Sequence, residues 1–145
     1  MIAIASDHGG FAMKRELIAH LRERGAETED LGCYSEESVD YPAYAEKLGA
    51  AVADGTYERG VLVCGTGIGM SIAANKLPGV RAALCADCYS AAMAREHNDA
   101  NVLCLGGRTL GPALAMRILD TWLDTPFSGL EKHARRIGQI KALEE

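Results

Sequence analysis

The stretch GVLVCGTGIGMSIAANK, Gly60 to Lys76, decides how the chain is read. Gly60 to Cys64 is a short apolar run with the length and character of a buried β-strand. Glycines at 65, 67 and 69 then predict a tight turn, and the small residues of MSIAANK predict a helix behind it. A strand, a glycine turn and a helix form one βα unit, and the same alternation runs through the rest of the chain.

Upstream, IAIAS (2–6) predicts a strand. FAMKRELIAHLRERG follows, with Phe11, Leu17, Ile18 and Leu21 at helical spacing and Gly25 as a stop. AETEDLG predicts a weak second strand. YPAYAEKLGAAVADG predicts a helix with Pro42 near its start and Gly55 at its end. Downstream come a strand VRAALC (80–85), a helix CYSAAMAREHN, a strand NVLCLGG (101–107) and two helices, about 110–123 and 129–143. Short apolar strands alternating with amphipathic helices predict one α/β domain, a five-stranded parallel sheet with helices on both faces. In such a sheet the ligand lies beyond the carboxyl ends of the strands. Asp7 and His8, Cys64 to Met70, Asp87, and Gly106 to Arg108 are therefore expected to face one crevice. His97, at the end of its helix, is expected at the same edge.

Composition narrows the partners. The 145 residues carry a formal charge of −5, which argues against nucleic-acid binding. Five cysteines, an odd number, fit free thiols in a reducing cytoplasm better than a disulfide scaffold. The start MIAIASDHGG lacks the basic flank and apolar length of a secretory leader. The uncharged run from Gly60 to Asn75 is interrupted by four glycines and is too short to span a bilayer. The expectation is a soluble cytoplasmic protein.

The glycine turn exposes backbone amides that favour negative charge, and it serves equally well as a plain strand-to-helix turn. It is neither a nucleotide P-loop, since no Lys or Arg follows the last glycine, nor a dinucleotide fingerprint, since its spacing is G-x-G-x-G in the third βα unit. The C-x5-R pattern of a cysteine phosphatase is also missing, because Met70 stands six residues after Cys64. Cysteine is usually a small buried hydrophobe. At a strand end beside clustered amides, however, the Cys64 thiolate would be favoured and could act as a base or a nucleophile. Cys85 and Cys88 form C-A-D-C without a second ligand pair, and Cys33 and Cys104 read as packing residues. His20 reads as a partly exposed helix residue, and His133 as part of the basic helix start EKHARR. Lys132 and Arg136 share one helix face and could close on one phosphate, whereas Arg135 reads as solvated.

SDHGG, SVDYP, CGTGIGMSIAANK, REHNDANVL and GGR, in this order and spacing, strongly resemble the ribose-5-phosphate isomerase B family over essentially the whole chain. The resemblance implies a Rossmann-like three-layer α/β/α fold with an extra C-terminal helix. It also implies aldose–ketose isomerisation of ribose 5-phosphate and ribulose 5-phosphate, without metal or organic cofactor. Homodimers, in some cases paired into tetramers, are implied too, with the active site shared between subunits. In this resemblance Cys64 is the base moving a proton between C1 and C2, and His97 assists opening of the furanose ring. Asp7, His8 and Tyr41 match positions around the sugar and phosphate. Thr66 and the amides of Gly65, Gly67, Ile68, Gly69, Met70 and Ser71 match the hole for the enediolate oxygen. Asn98 and Arg108 match substrate-binding positions contributed with the histidine by the neighbouring subunit. Family members commonly carry two phosphate-binding arginines four residues apart near the C-terminus; here the second is Arg136 and the first is Lys132. Lysine keeps the charge and loses the bidentate fork. The alternatives are a six-carbon substrate, such as allose 6-phosphate or galactose 6-phosphate, and a non-catalytic phosphate- or nucleotide-binding module.

Overall fold

In the structure, a computed structural model that describes residues 1–144, five strands run parallel in the order β2-β1-β3-β5-β4. They are β1 (Ile2–Ser6), β2 (Thr28–Asp30), β3 (Arg59–Cys64), β4 (Ala82–Leu84) and β5 (Val102–Gly106). The helices are α1 (Phe11–Glu23), α2 (Tyr41–Ala53), α3 (Ile68–Ala74), α4 (Cys88–Glu96), α5 (Pro112–Asp124) and α6 (Glu131–Ala142). The expected α/β/α layering is therefore present, with α6 as the extra helix.

Successive side chains of a strand point to opposite faces. Val61 and Val63 of β3 accordingly join Ile4, Leu103 and Leu105 in the core beneath α1, α4 and α5. Leu62 and Cys64 join Ala3, Ala5 and Cys104 in the core beneath α2 and α3. α5 seals the first core with Ala115, Ile118, Leu119 and Trp122, all fully buried at helical spacing. Each large aliphatic side chain buried this way contributes about 1.5–3 kcal/mol.

At β4 and α3 the boundaries differ from expectation, each for a local reason of its own. The side chain of Asn75, just past α3, accepts from the Ala82 amide (2.8 Å) and donates to the Ala82 carbonyl (2.9 Å). Asn101 accepts from the Arg81 amide at 2.8 Å. Asparagine side chains thus take over backbone groups at the start of β4, which shrinks from the expected 80–85 to Ala82–Leu84. α3 begins at Ile68, two residues before the expected helix, because Gly67 already turns the chain with φ +80°. A short 3-10 turn at His8–Gly10, not anticipated, carries β1 into α1.

Candidate active site

The carboxyl ends of β1, β3 and β5 bring three expected segments together. Asp7 continues β1 through its amide, which donates to the Val63 carbonyl at 3.2 Å. Its buried carboxylate accepts from the Gly10 amide at 3.0 Å and so caps the 3-10 turn. A Cβ on Gly10 would overlap the Val63 carbonyl, so this turn sits directly on β3. After β5, the Gly107 amide donates to the Cys64 carbonyl (2.8 Å) and the Arg108 amide to the Gly65 carbonyl (2.9 Å). The Arg108 guanidinium is thereby laid against Gly9 and Gly65.

Cys64 stands at the boundary between core and edge. It is 5% exposed and packs with Met70 and Ala5 on its inner side. On its outer side the Gly67 amide donates to Sγ at 3.1 Å, so the sulfur is aimed at the loop and not merely enclosed. Gly67 is required here: φ is +80°, and a Cβ would lie 2.9 Å from the Leu105 carbonyl carbon. The loop is braced internally, with the Ile68 amide donating to Thr66 Oγ1 (3.2 Å) and Ser71 Oγ to the Ile68 carbonyl (2.7 Å). The Ser71 amide is taken by the Gly67 carbonyl, while Gly69 and Met70, in the first turn of α3, have no preceding helical carbonyl to meet. The Tyr41 ring, from the start of α2, lies over Gly69 and leaves no room there for a side chain. His8 joins through the loop before α2, its Nδ1 accepting from the Val39 amide at 3.2 Å. That bond puts the ring proton of a neutral His8 on Nε2.

His97 and Asn98 are elsewhere. They follow α4, which runs back from the carboxyl edge, and lead within a few residues into the start of β5, so they lie at the amino edge. The expectation that His97 shares the edge of Cys64 within one chain is thus corrected by the direction of α4. Arg108 lies beside Gly65 at the carboxyl edge, where the strand-end reading placed it. Asp87 is at the carboxyl end of β4 but spends its carboxylate on Ser90, accepting from the amide (2.6 Å) and the hydroxyl (2.8 Å) as the cap of α4.

Around His97 a cavity of about 470 Å³ is lined by Glu96, Asn98, Lys132, His133 and Arg136. Lys132 and Arg136 reach one cavity from one helix face, as their spacing predicts. His133, read from sequence as an ordinary member of a basic helix start, is 6% exposed and lies against the His97 ring, centroids 4.3 Å apart. Its Nδ1 is 2.6 Å from Ser128 Oγ. Burial, then His97, Lys132 and Arg136, push its pKa below the usual histidine value. Its position three residues before Arg136 was the available signal, since i and i+3 share a face. Arg135, as expected, faces out and pairs with Glu131 at 2.6 Å.

All five cysteines are free thiols. Cys85 is buried and its thiol is pushed up to about 11 by burial and by Asp87, while Cys88 is half-buried. Among the described residues no group of three or more His, Cys, Asp or Glu could hold a metal. No helix of the described residues is long and apolar enough to cross a membrane.

The parallel α/β sheet thus carries a cysteine and a glycine loop at one end and a cavity with His97, Lys132 and Arg136 at the other, an arrangement suited to a small anionic ligand. Residues 2–140 match the model of the Ribose/Galactose Isomerase family. The chain is 49% identical over 144 residues to "Ribose-5-phosphate isomerase B" of Escherichia coli, covering 99% of this chain and 96% of that protein. The solved structure of ribose-5-phosphate isomerase B from Clostridium thermocellum superposes with a TM-score of 0.97 at 52% identity, covering 99% of this chain and 96% of that one. The type B ribose 5-phosphate isomerase of Trypanosoma brucei gives 0.95 at 53% identity, over 98% and 97% of the two chains. The chain belongs to the Ribose/Galactose Isomerase family.

Proposed function

We propose that this protein interconverts ribose 5-phosphate and ribulose 5-phosphate through an enediolate. The observation that carries the reading is the Cys64 sulfur, oriented by the Gly67 amide at the sheet edge, in a chain alike over its full length to ribose-5-phosphate isomerases. The reaction takes a proton from a carbon beside a carbonyl and leaves charge on oxygen. It needs one base and fixed donors. Cys64 is the base. Thr66 and the amides from Gly65 to Ser71, those of Gly69 and Met70 foremost, receive the oxygen, and losing such a donor typically costs about 2.7–4 kcal/mol. Asp7, His8, Tyr41 and Arg108 border the same opening and hold the sugar and phosphate from the carboxyl edge.

His97 assists opening of the furanose, Asn98 contacts the sugar, and Lys132 with Arg136 binds the phosphate. These groups lie at the other end of the sheet from Cys64, so a single chain does not assemble the site. A homodimer placing the His97 cavity of one subunit over the Cys64 loop of the other completes it. The exposed apolar side chains Ile68 and Ile72 of α3 and Tyr89 of α4 support a second copy docking beside that loop. The phosphate then supplies binding energy remote from the reacting carbons, which keeps C1 and C2 in register with the sulfur.

The test is direct. Purified protein incubated with ribose 5-phosphate is followed by NMR for ribulose 5-phosphate, beside allose 6-phosphate and galactose 6-phosphate. A kcat/KM highest on the five-carbon sugar supports the reading. Turnover of the six-carbon sugars alone, or of none, contradicts it.

A further inference from the structure

We infer that His133 is a positioning residue for ring opening: it holds the His97 imidazole in its working orientation, with Ser128 fixing His133 in turn. The inference rests on the reading of His97 given above. Four observations carry it. His133 is the one buried residue of a helix that is otherwise exposed apart from the half-buried Ile137. Its ring meets the His97 ring at 4.3 Å between centroids and 34° between planes, so it presents a broad face and not an edge. Ser128 Oγ, 2.6 Å from Nδ1, holds the ring against rotation, and the same oxygen accepts from the Leu130 amide at 3.2 Å. The Ser128 amide, finally, donates to the Glu96 carbonyl at 3.0 Å, tying this support to the end of α4, one residue before His97.

Ring opening breaks the C1–O4 bond of the furanose. The bonding pair goes to O4, which takes a proton from His97, and O1 loses its proton as the C1=O1 carbonyl forms. Water returns that proton to the imidazole, so the step is balanced. The imidazole must point a nitrogen at O4, which a histidine on a helix end does not do unaided, because its χ angles rotate freely when exposed. A ring packed on its face removes that freedom. His133 suits this role because burial and the neighbouring cations keep it neutral near pH 7, so it does not repel His97 when His97 carries the proton.

The test uses His133→Ala, His133→Phe and Ser128→Ala in the full-length protein, each checked for folding by circular dichroism. They are assayed with ribose 5-phosphate and with the same sugar deuterated at C2. His133→Ala is expected to lower kcat by about tenfold with KM within twofold, an effective-orientation loss. Because ring opening precedes C2–H cleavage, its deuterium effect should be no larger than that of the wild type. His133→Phe keeps the stacked face and should recover most of kcat; Ser128→Ala should lose about threefold. A kcat within twofold of wild type in folded His133→Ala, or in Ser128→Ala should the former not fold, overturns the inference. So does a loss confined to KM, an enlarged isotope effect, or a Phe variant no better than Ala. Failure of the wild type to turn over ribose 5-phosphate would instead sink the underlying assignment, independently of His133.

Discussion

Cys64 and His97 stand at opposite ends of one parallel sheet: the first closes β3, and the second lies in the turn that leads into β5. In the proposed homodimer a second chain brings these two ends to one sugar. Cys64→Ala and His97→Ala homodimers are therefore expected to be nearly inactive. Mixed after unfolding and refolding together, they should regain about a quarter of wild-type activity, because half the two-fold dimers then contain one intact site of two. Activity of the mixture no higher than the sum of the separate variants would contradict a shared site.

The lysine at 132 is expected to limit phosphate affinity. It meets the cavity with a single ammonium, beside the fork of Arg136. Lys132→Arg should lower KM for ribose 5-phosphate several-fold with kcat changed less than twofold, as expected when ground state and transition state gain equally. A raised KM would show that the cavity is shaped around the ammonium.

Gly67 combines a left-handed backbone with contact against β5. Gly67→Ala should destabilise the fold by about 2–4 kcal/mol. It should also lower kcat, since the amide that holds Cys64 Sγ moves. Denaturant unfolding and a parallel assay check both; a variant as stable and active as wild type would contradict the strain.

The alternation of apolar runs and helices made the elements legible, most clearly the central strands β1, β3 and β5, which are buried on both faces, and least so the polar edge strand β2. β4 is shorter than its apolar run VRAALC suggests because Asn75 and Asn101, whose positions in sequence show no such role, bond to its first residues. Only in three dimensions do their side chains replace ladder partners of Arg81 and Ala82. The Cys64 loop was legible because its glycines mark a turn directly. The position of His97 was legible too, because in a parallel βαβ sheet a residue just after a helix has returned to the amino edge; the expectation of a shared edge neglects that direction. His133 was hidden by its neighbours: EKHARR looks like a solvated charge run, while burial and the contact with His97 depend on where α6 docks.

The Cys85 thiol supplies a pH prediction. Its folded pKa of about 11 lies above the ordinary value of 9.0, so the unfolded chain loses that proton first as pH rises. Stability should be undiminished by this group below pH 9 and fall between pH 9 and about 11. Cys104, fully buried and shifted in the same direction, adds to the loss. Replacing Cys85 with Ala should flatten the alkaline decline in thermal unfolding midpoints; an unchanged slope would assign the decline to other groups.

The central claim is that the Cys64 sulfur moves the proton between C2 and C1, and Cys64→Ala tests it most directly. The measurement is turnover of ribose 5-phosphate by the folded variant, with binding followed by calorimetry. Binding should persist while turnover falls by about a thousandfold, within the range a positioned general base supplies. A folded, substrate-binding Cys64→Ala protein with near wild-type turnover would contradict the account.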